Sequence, residues 1–278
     1  MGANGEEELM VSVIITTHNR PSFLRAAVQS VLDQSLFHFE LIIVDDASPG
    51  DETKTAVNYF FDERIRYIKN EQNLGSTESL NVGLRAAKGE FIAILDDDDF
   101  WVDQEKLAKQ VKFLEDRPGY VLVATNAIVI DYSTDREISR SDVAGEDAQL
   151  REKVLKFNPF AHSSIMYRRE AAMQVGCYDK NLPRGKDYDL WLKLGLIGKF
   201  AVLPDYTTKY REAGINDRNL VEMRRRDAQV TLQVIKRYKD KYPGFWSAYL
   251  VLSFRIFIFR ILGFLPGIYH LYKSSSSS

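Results

Sequence analysis

The sequence predicts an α/β fold, a mostly parallel sheet flanked by helices, and three observations carry that expectation. Short, near-continuous apolar segments alternate with helical ones up to about residue 100, the pattern of strands buried on both faces. Three of the four strands in that stretch end in polar residues: His18-Asn19, Asp45-Asp46 and Asp96 to Asp99. Sheets of this kind bind ligands beyond the carboxyl ends of their strands. At 278 residues the chain can form one substantial core, or a catalytic domain with a smaller appendage.

The elements follow in order. Val11 to Thr16 (VSVIIT) reads as a buried strand, Pro21 to Leu32 as a helix and Phe39 to Val44 (FELIIV) as a second strand. Thr53 to Phe60 is helical and Ile65 to Ile68 a third strand. Thr77 to Ala87 is a helix closed by Gly89, and Glu90 to Leu95 a strand that runs directly into four aspartates. Trp101 to Leu114 is predicted as a helix, Tyr120 to Ile130 as a long strand, and Asp131 to Glu152, polar and irregular, as a mobile loop. Phe157 to Met166 leads into a helix beginning near Arg169. Asp187 to Leu196 is a helix with Leu190, Trp191 and Leu194 on one face. Val221 to Lys241 is a long basic helix, and an apolar segment from Phe245 to Tyr272 precedes five serines, 274–278, that read as a linker remnant.

Charge is unevenly spread. The net charge is -2, yet from Met223 onward there are ten Lys or Arg and two acids. A basic end beside an acidic body points to an anionic partner, phosphate headgroups or nucleic acid. Nucleic acid is set aside, because it gives no use to the aspartate run or to Asp187. The single cysteine, Cys177, excludes an intramolecular disulfide framework and fits a reducing compartment. The first residues are expected to be neither a signal peptide nor, with Glu6, a myristoylation site.

Four consecutive carboxylates repel one another unless a cation or hydrogen bonds offset them. The alternative, a solvated acidic turn, is disfavoured because the run follows FIAIL with no turn residues between. Oxygen-only ligands suit Mn2+ or Mg2+. Asp96 and Asp98 form a D-x-D pair with Asp99 as a third candidate, and spacing does not decide which two touch the metal. Neither the P-loop nor the dinucleotide fingerprint occurs. A nucleotidyltransferase would also use Asp-held metal, but THNRPS lacks its Gly-rich loop.

The segments VSVIITTHNR, FELIIVDDASPGDET, NLGSTESLNVGLRAAKGEFIAILDDDDFW, NPFAHSSIMYRRE with VGCYDK, and GKDYDLWLKLG resemble family 2 of the inverting glycosyltransferases. The resemblance covers roughly residues 10 to 200 and implies a GT-A-like fold with a Rossmann-like sheet. It implies a catalytic domain over 10–215, with a donor half to about 100 and an acceptor half from 101, followed by a helical extension over 220–273. For the site it implies that His18 contacts the nucleotide base, with helix capping as the alternative role, and that Asp45 and Asp46 hold base and ribose. Asn81, Asp96, Asp97 and Arg211 join the donor-binding set. Leu80 stands where the family often has Arg, and UDP is the expected carrier, with a dTDP or GDP sugar as the alternative. Asp187 is the implied general base, in a Lys186-Asp187 pair where the family has Glu-Asp, and His162 and Lys186 lie on the acceptor side. The departures at Leu80 and Lys186 leave a catalytically inactive scaffold as the alternative.

LVLSFRIFIFRILGFLPGIY is too apolar for a surface helix, yet Arg255 and Arg260 interrupt it and Pro266-Gly267 break it. An in-plane membrane helix with snorkelling arginines fits this composition better than a span. A buried helix or a contact between copies in a homodimer is the alternative. Membrane attachment implies a cytoplasmic protein peripheral to the cytoplasmic face of a bacterial membrane, and a glycan or polyprenyl-diphosphate-linked acceptor.

Overall fold

A computed structural model describes residues 9–182, 184–212 and 217–264. The first eight residues, the Pro266-Gly267 break and the serines at 274–278 lie outside the described residues. The chain divides into two compact units, one of residues 1–150 and 159–212, the other of 151–158 and 213–278.

In the first unit, Val11–Thr17 forms β1 and Phe39–Asp45 forms β2, with Ile65–Lys69 as β3 and Phe91–Ile94 as β4. β1 pairs in parallel with β2 and β4, and β2 with β3. Strands in that position are covered on both faces, which is why β1 and β2 read as unbroken apolar runs. Pro21–Leu32 is α1. Its proline has the helical φ built in and lacks only a donor that the first turn leaves unused. Glu52–Asn58 is α2 and Ser76–Ala86 is α3. The core on one side of the sheet joins Val13, Ile15, Leu24, Val28, Leu41 and Phe91. On the other side α3 packs so tightly that a Cβ on Gly83 would lie 2.6 Å from Ile14.

Beyond β4 come Phe100–Trp101 (β5), Lys106–Glu115 (α4), Tyr120–Asp131 (β6), Glu137–Arg140 (β7) and Asp147–Arg151 (α5). A 3-10 turn at His162–Ser164 leads into Met166–Arg168 (β8) and Arg169–Gln174 (α6), followed by Lys186–Ile197 (α7) and Lys199–Glu212 (β9). The sheet runs β3-β2-β1-β4-β8-β6-β9-β5, with β7 against β6. The expectation of a mostly parallel sheet therefore holds only for the donor half. β8 pairs antiparallel with both β4 and β6, β5 antiparallel with β9, and β7 antiparallel with β6, while β6 and β9 run parallel. Three residues of β8 are too few to show a period.

Two local expectations are corrected. Helix α4 starts at Lys106 rather than Trp101, because Phe100 and Trp101 pair with β9 and the Trp101 indole donates to Ser163 O at 2.8 Å. The segment from Asp131 is no structureless loop. The Asp131 carboxylate accepts from the Ser133 and Thr134 hydroxyls and amides, closing a turn that returns the chain as β7.

The second unit contains Asp217–Lys236 (α8) and Phe245–Phe264 (α9), which pack on each other. Among the described residues no helix is long and apolar enough to cross a membrane.

Gly89 gives a direct test of the packing between the α3–β4 turn and β1. A Cβ there would lie 2.6 Å from Ser12 N and Val11 C, backbone atoms that cannot yield. Gly89→Ala is expected to cost about 1–3 kcal/mol, read as a lowered urea midpoint. An unchanged midpoint would contradict this packing.

Candidate active site

The carboxyl ends of β1, β2 and β4 bring Thr17 to Arg20, Asp45-Asp46 and Asp96 to Asp99 to one edge of the sheet. The two carboxylates after β2 face inward. Asp45 is fully buried and accepts from Ser48 N at 2.7 Å and from the Tyr67 hydroxyl. Asp46 accepts from Asn70 Nδ2, Leu74 N and Gly75 N at 2.7–2.9 Å. Burial works against the Asp46 charge, but hydrogen bonds from Asn70, Leu74, Ser79 and Gly75 outweigh it and hold the carboxyl below its usual range. The pair thus builds the wall of the cleft and fixes the loop entering α3. His18 is exposed beside it, its Nδ1 donating to Asp46 O at 2.8 Å, so Nε2 and the ring remain available.

The aspartate run turns as soon as β4 ends, with Asp99 N bonded to Asp96 O, so its side chains meet partners from several elements. Asp96 faces His162, whose Nδ1 is 3.1 Å from each carboxylate oxygen. Asp97 accepts from Thr17 Oγ1 at 2.7 Å, and one Arg20 nitrogen bridges Asp97 and Asp98 at 3.2 and 2.8 Å. Asp99 is 1% exposed and accepts from the Ser163 hydroxyl and from Arg211 N at 2.8 Å. Burial pushes the Asp97 carboxyl up to about 6, against Thr17 and Arg20, and the Asp98 and Asp96 charges add to it. Asp98 and Asp99 rise for the same two reasons, burial and then the Asp96 charge. For Asp96 burial also opposes the charge, but His162, with Lys186 and Ser163, more than offsets it. The cations and donors at this edge do not fully offset the burial and mutual repulsion of Asp97, Asp98 and Asp99.

Among the described residues no three His, Cys, Asp or Glu side chains gather as a metal-ligand set. Asp99 has both oxygens engaged and is buried, so in this arrangement it ties the run to the 3-10 turn and β9 and is not accessible to an ion. Asp96 and Asp98 keep 36% and 22% of their side chains exposed. Two hard oxygen donors in an under-neutralised edge suit Mn2+ or Mg2+ with the remaining positions taken by a ligand.

Arg211 lies within the end of β9. It makes two bonds to Asp135 at 2.9 and 3.2 Å, donates to Asp98 O, and sits 5.2 and 4.9 Å from the Phe23 and Phe100 rings. It therefore ties the 131–135 turn and the aspartate run together. The phenol of Tyr210 faces the run, its pKa raised by burial and then by Asp96, Asp99 and Asp98.

On the opposite side, His162 and Trp191 stack at 6.0 Å, and Tyr178 meets both rings at 6.3 Å. Trp191 is core, as is Asp189, which pairs with Lys193 at 3.0 Å. Asp187 is half-buried in the first turn of α7, where an acidic group suits the helix dipole. The Tyr178 phenol is raised well above its usual range by burial and by the Tyr167 phenol, and the Asp187 and Asp96 carboxylates add to that rise. Lys186 bonds Ser76 Oγ at 3.1 Å and is close enough to Asp96 to favour its charge. Asn81 does not join the cleft. Its Nδ2 donates to Tyr178 O at 3.0 Å and its Oδ1 accepts from Tyr178 N at 3.1 Å.

The profile described as Glycosyl transferase family 2 matches residues 12–176. The chain belongs to glycosyltransferase family 2. The amylovoran biosynthesis glycosyltransferase AmsE of Erwinia amylovora is 28% identical over 206 residues, 73% of this chain and 76% of AmsE. The Escherichia coli UDP-Glc:alpha-D-GlcNAc-diphosphoundecaprenol beta-1,3-glucosyltransferase WfaP is 32% identical over 187 residues, 66% of this chain and 70% of WfaP. In fold the chain is similar to the Pyrobaculum calidifontis mannosyltransferase PcManGT in complex with GDP-Man and Mn2+, with a TM-score of 0.66 at 21% identity, covering 98% and 81% of the two chains. It is also similar to S. aureus TarS 1-349 in complex with UDP, with a TM-score of 0.63 at 18% identity over 83% and 72%. The architecture is GT-A-like, with a mixed sheet.

The family 2 match ends before Lys186, Asp187 and Arg211, so those three rest on geometry and on the α7 motif. Thr17, Arg20, Ser163 and Asp135 escaped the sequence reading. Arg20 had a signal, as a cation two residues from the polar end of β1; the partners of the other three form only on folding.

Asn81→Ala leaves a buried N–H and a buried C=O of Tyr178 unpaired, each costing about 1–3 kcal/mol. The expected loss is about 2–6 kcal/mol in urea unfolding. Unchanged stability with weakened nucleotide binding would instead make Asn81 a donor ligand.

Proposed function

We propose that this family 2 enzyme moves a sugar, with inversion, from a nucleotide-sugar donor to a hydroxyl of a glycan or lipid-linked acceptor in surface polysaccharide synthesis. The observation that carries the reading is the under-neutralised aspartate run, which shares the surroundings of Tyr178 with a half-buried carboxylate, Asp187.

The donor would lie against β1 and β2, with the base at His18 and the wall held by Asp45 and Asp46, and with Asp97 and Arg20 near the sugar diphosphate. Asp96 and Asp98 would hold Mn2+ or Mg2+, and such an ion supplies charge neutralisation for the departing diphosphate. Asp187 accepts the proton of the acceptor hydroxyl as that oxygen attacks the anomeric carbon, opposite the leaving group. The C–O bond to the nucleoside diphosphate breaks in the same displacement, so no second carboxylate nucleophile is needed. His162 holds the Asp96 carboxylate and lines the acceptor side. Lys186 sits beside the start of α3, the helix that carries Leu80 in place of the family's Arg, and supplies a cation for donor or acceptor phosphate. Arg211 closes the edge as a tie.

TarS complexes with UDP and UDP-GlcNAc support a UDP carrier. The GDP-Man and Mn2+ complex of PcManGT supports metal use. The acceptor in the name of WfaP supports a polyprenyl-diphosphate-linked acceptor. A lipid-borne acceptor requires work at a membrane surface, the cytoplasmic face in this reading.

Two variants separate binding from chemistry. Asp187→Asn is expected to lower transfer about 10²–10⁴-fold with nucleotide-sugar affinity unchanged. Nuclear magnetic resonance of the wild-type product should show the anomeric configuration opposite to that of the donor. Full activity in Asp187→Asn, or retention of configuration, would overturn the mechanism.

A further inference from the structure

Helix α9 has two apolar faces, and only one is covered. Phe245, Ala248 and Leu252 are buried. Trp246, Leu250, Phe254, Phe257 and Ile261 are each between 39% and 66% exposed. At 3.6 residues per turn these five fall within an arc of about 80°, on the side away from the buried three. A continuous stripe of five large apolar side chains, two of them phenylalanine and one tryptophan, marks a binding surface rather than ordinary surface scatter.

The charges around the stripe say what fits it. The Lys239 ammonium lies 5.1 Å from the Trp246 ring and that of Lys236 5.7 Å from Tyr249, so cations stand at the stripe's beginning. Arg260 is exposed on its border near the far end, and α8 adds Arg224 to the basic content. Two copies meeting through this face would bring like charges together. A lipid surface takes the apolar stripe among its acyl chains and offers anionic headgroups to the flanking cations. Arg255 lies on the other side of the helix from the stripe, so of the two arginines expected to snorkel only Arg260 is suitably placed.

We propose that α9 is an in-plane anchor, with the stripe from Trp246 to Ile261 embedded in the interfacial region of an anionic bilayer. It deepens the peripheral location given above and does not rest on the donor or base assignments. Vesicle binding can fail while transfer to a soluble acceptor persists, and the reverse.

The test uses the full chain and vesicles of phosphatidylcholine with or without phosphatidylglycerol. Of the three tryptophans, Trp101 and Trp191 are buried, so Trp246 reports the anchor. Sedimentation with the anionic vesicles is expected, with tryptophan fluorescence quenched by acyl-chain bromine. Leu250→Glu with Phe254→Glu should weaken binding at least about tenfold while the melting temperature and nucleotide affinity hold. No binding of the wild type, equal binding of the double variant, or absence of quenching would overturn the proposal. So would a lipid-free dimer that the same double variant dissociates, which would make the stripe a contact between copies.

Discussion

Four carboxylates in sequence, delivered to the mouth of a buried sheet, impose the constraint around which the catalytic unit is arranged. Repulsion and desolvation both act against their charge, and the surrounding elements each answer part of it. The end of β1 contributes Thr17, the turn before α1 contributes Arg20, the 3-10 turn contributes His162 and Ser163, and β9 contributes the Arg211 backbone N–H. The antiparallel insertion of β8 beside β4 follows directly on that turn. The mixed topology of the acceptor half thus serves the same edge that the parallel half creates.

What remains after those contacts is a deficit of positive charge at Asp97 and Asp98. Arg20 is the nearest cation, on a half-exposed stem. A cation brought to those carboxylates would lower the cost that burial and mutual repulsion impose on them.

The parts legible in the sequence were those whose cause is local. β1, β2 and α1 appear where they were read, since an apolar β-branched run and a proline act on their own neighbours. The position of the aspartate run was legible because it follows an apolar strand with no turn residues between, and the structure places it at the end of β4. What could not be read depended on partners far along the chain. β5 becomes a strand because β9, over a hundred residues later, lies beside it. Asn81, expected in the donor-binding set, pairs with the Tyr178 backbone across 97 positions. Asp99, expected as a third metal contact, is buried and bonded to Ser163.

The most direct test of the central claim is isothermal titration of UDP into the protein in Mn2+ and, separately, in EDTA, on wild type and Asp98→Asn. The account predicts binding that requires Mn2+ in the wild type and is lost in the variant, whose fold is unaltered. Equal UDP binding in Mn2+ and EDTA, or undiminished binding by Asp98→Asn, would contradict the assignment of the aspartate run as the metal and diphosphate site.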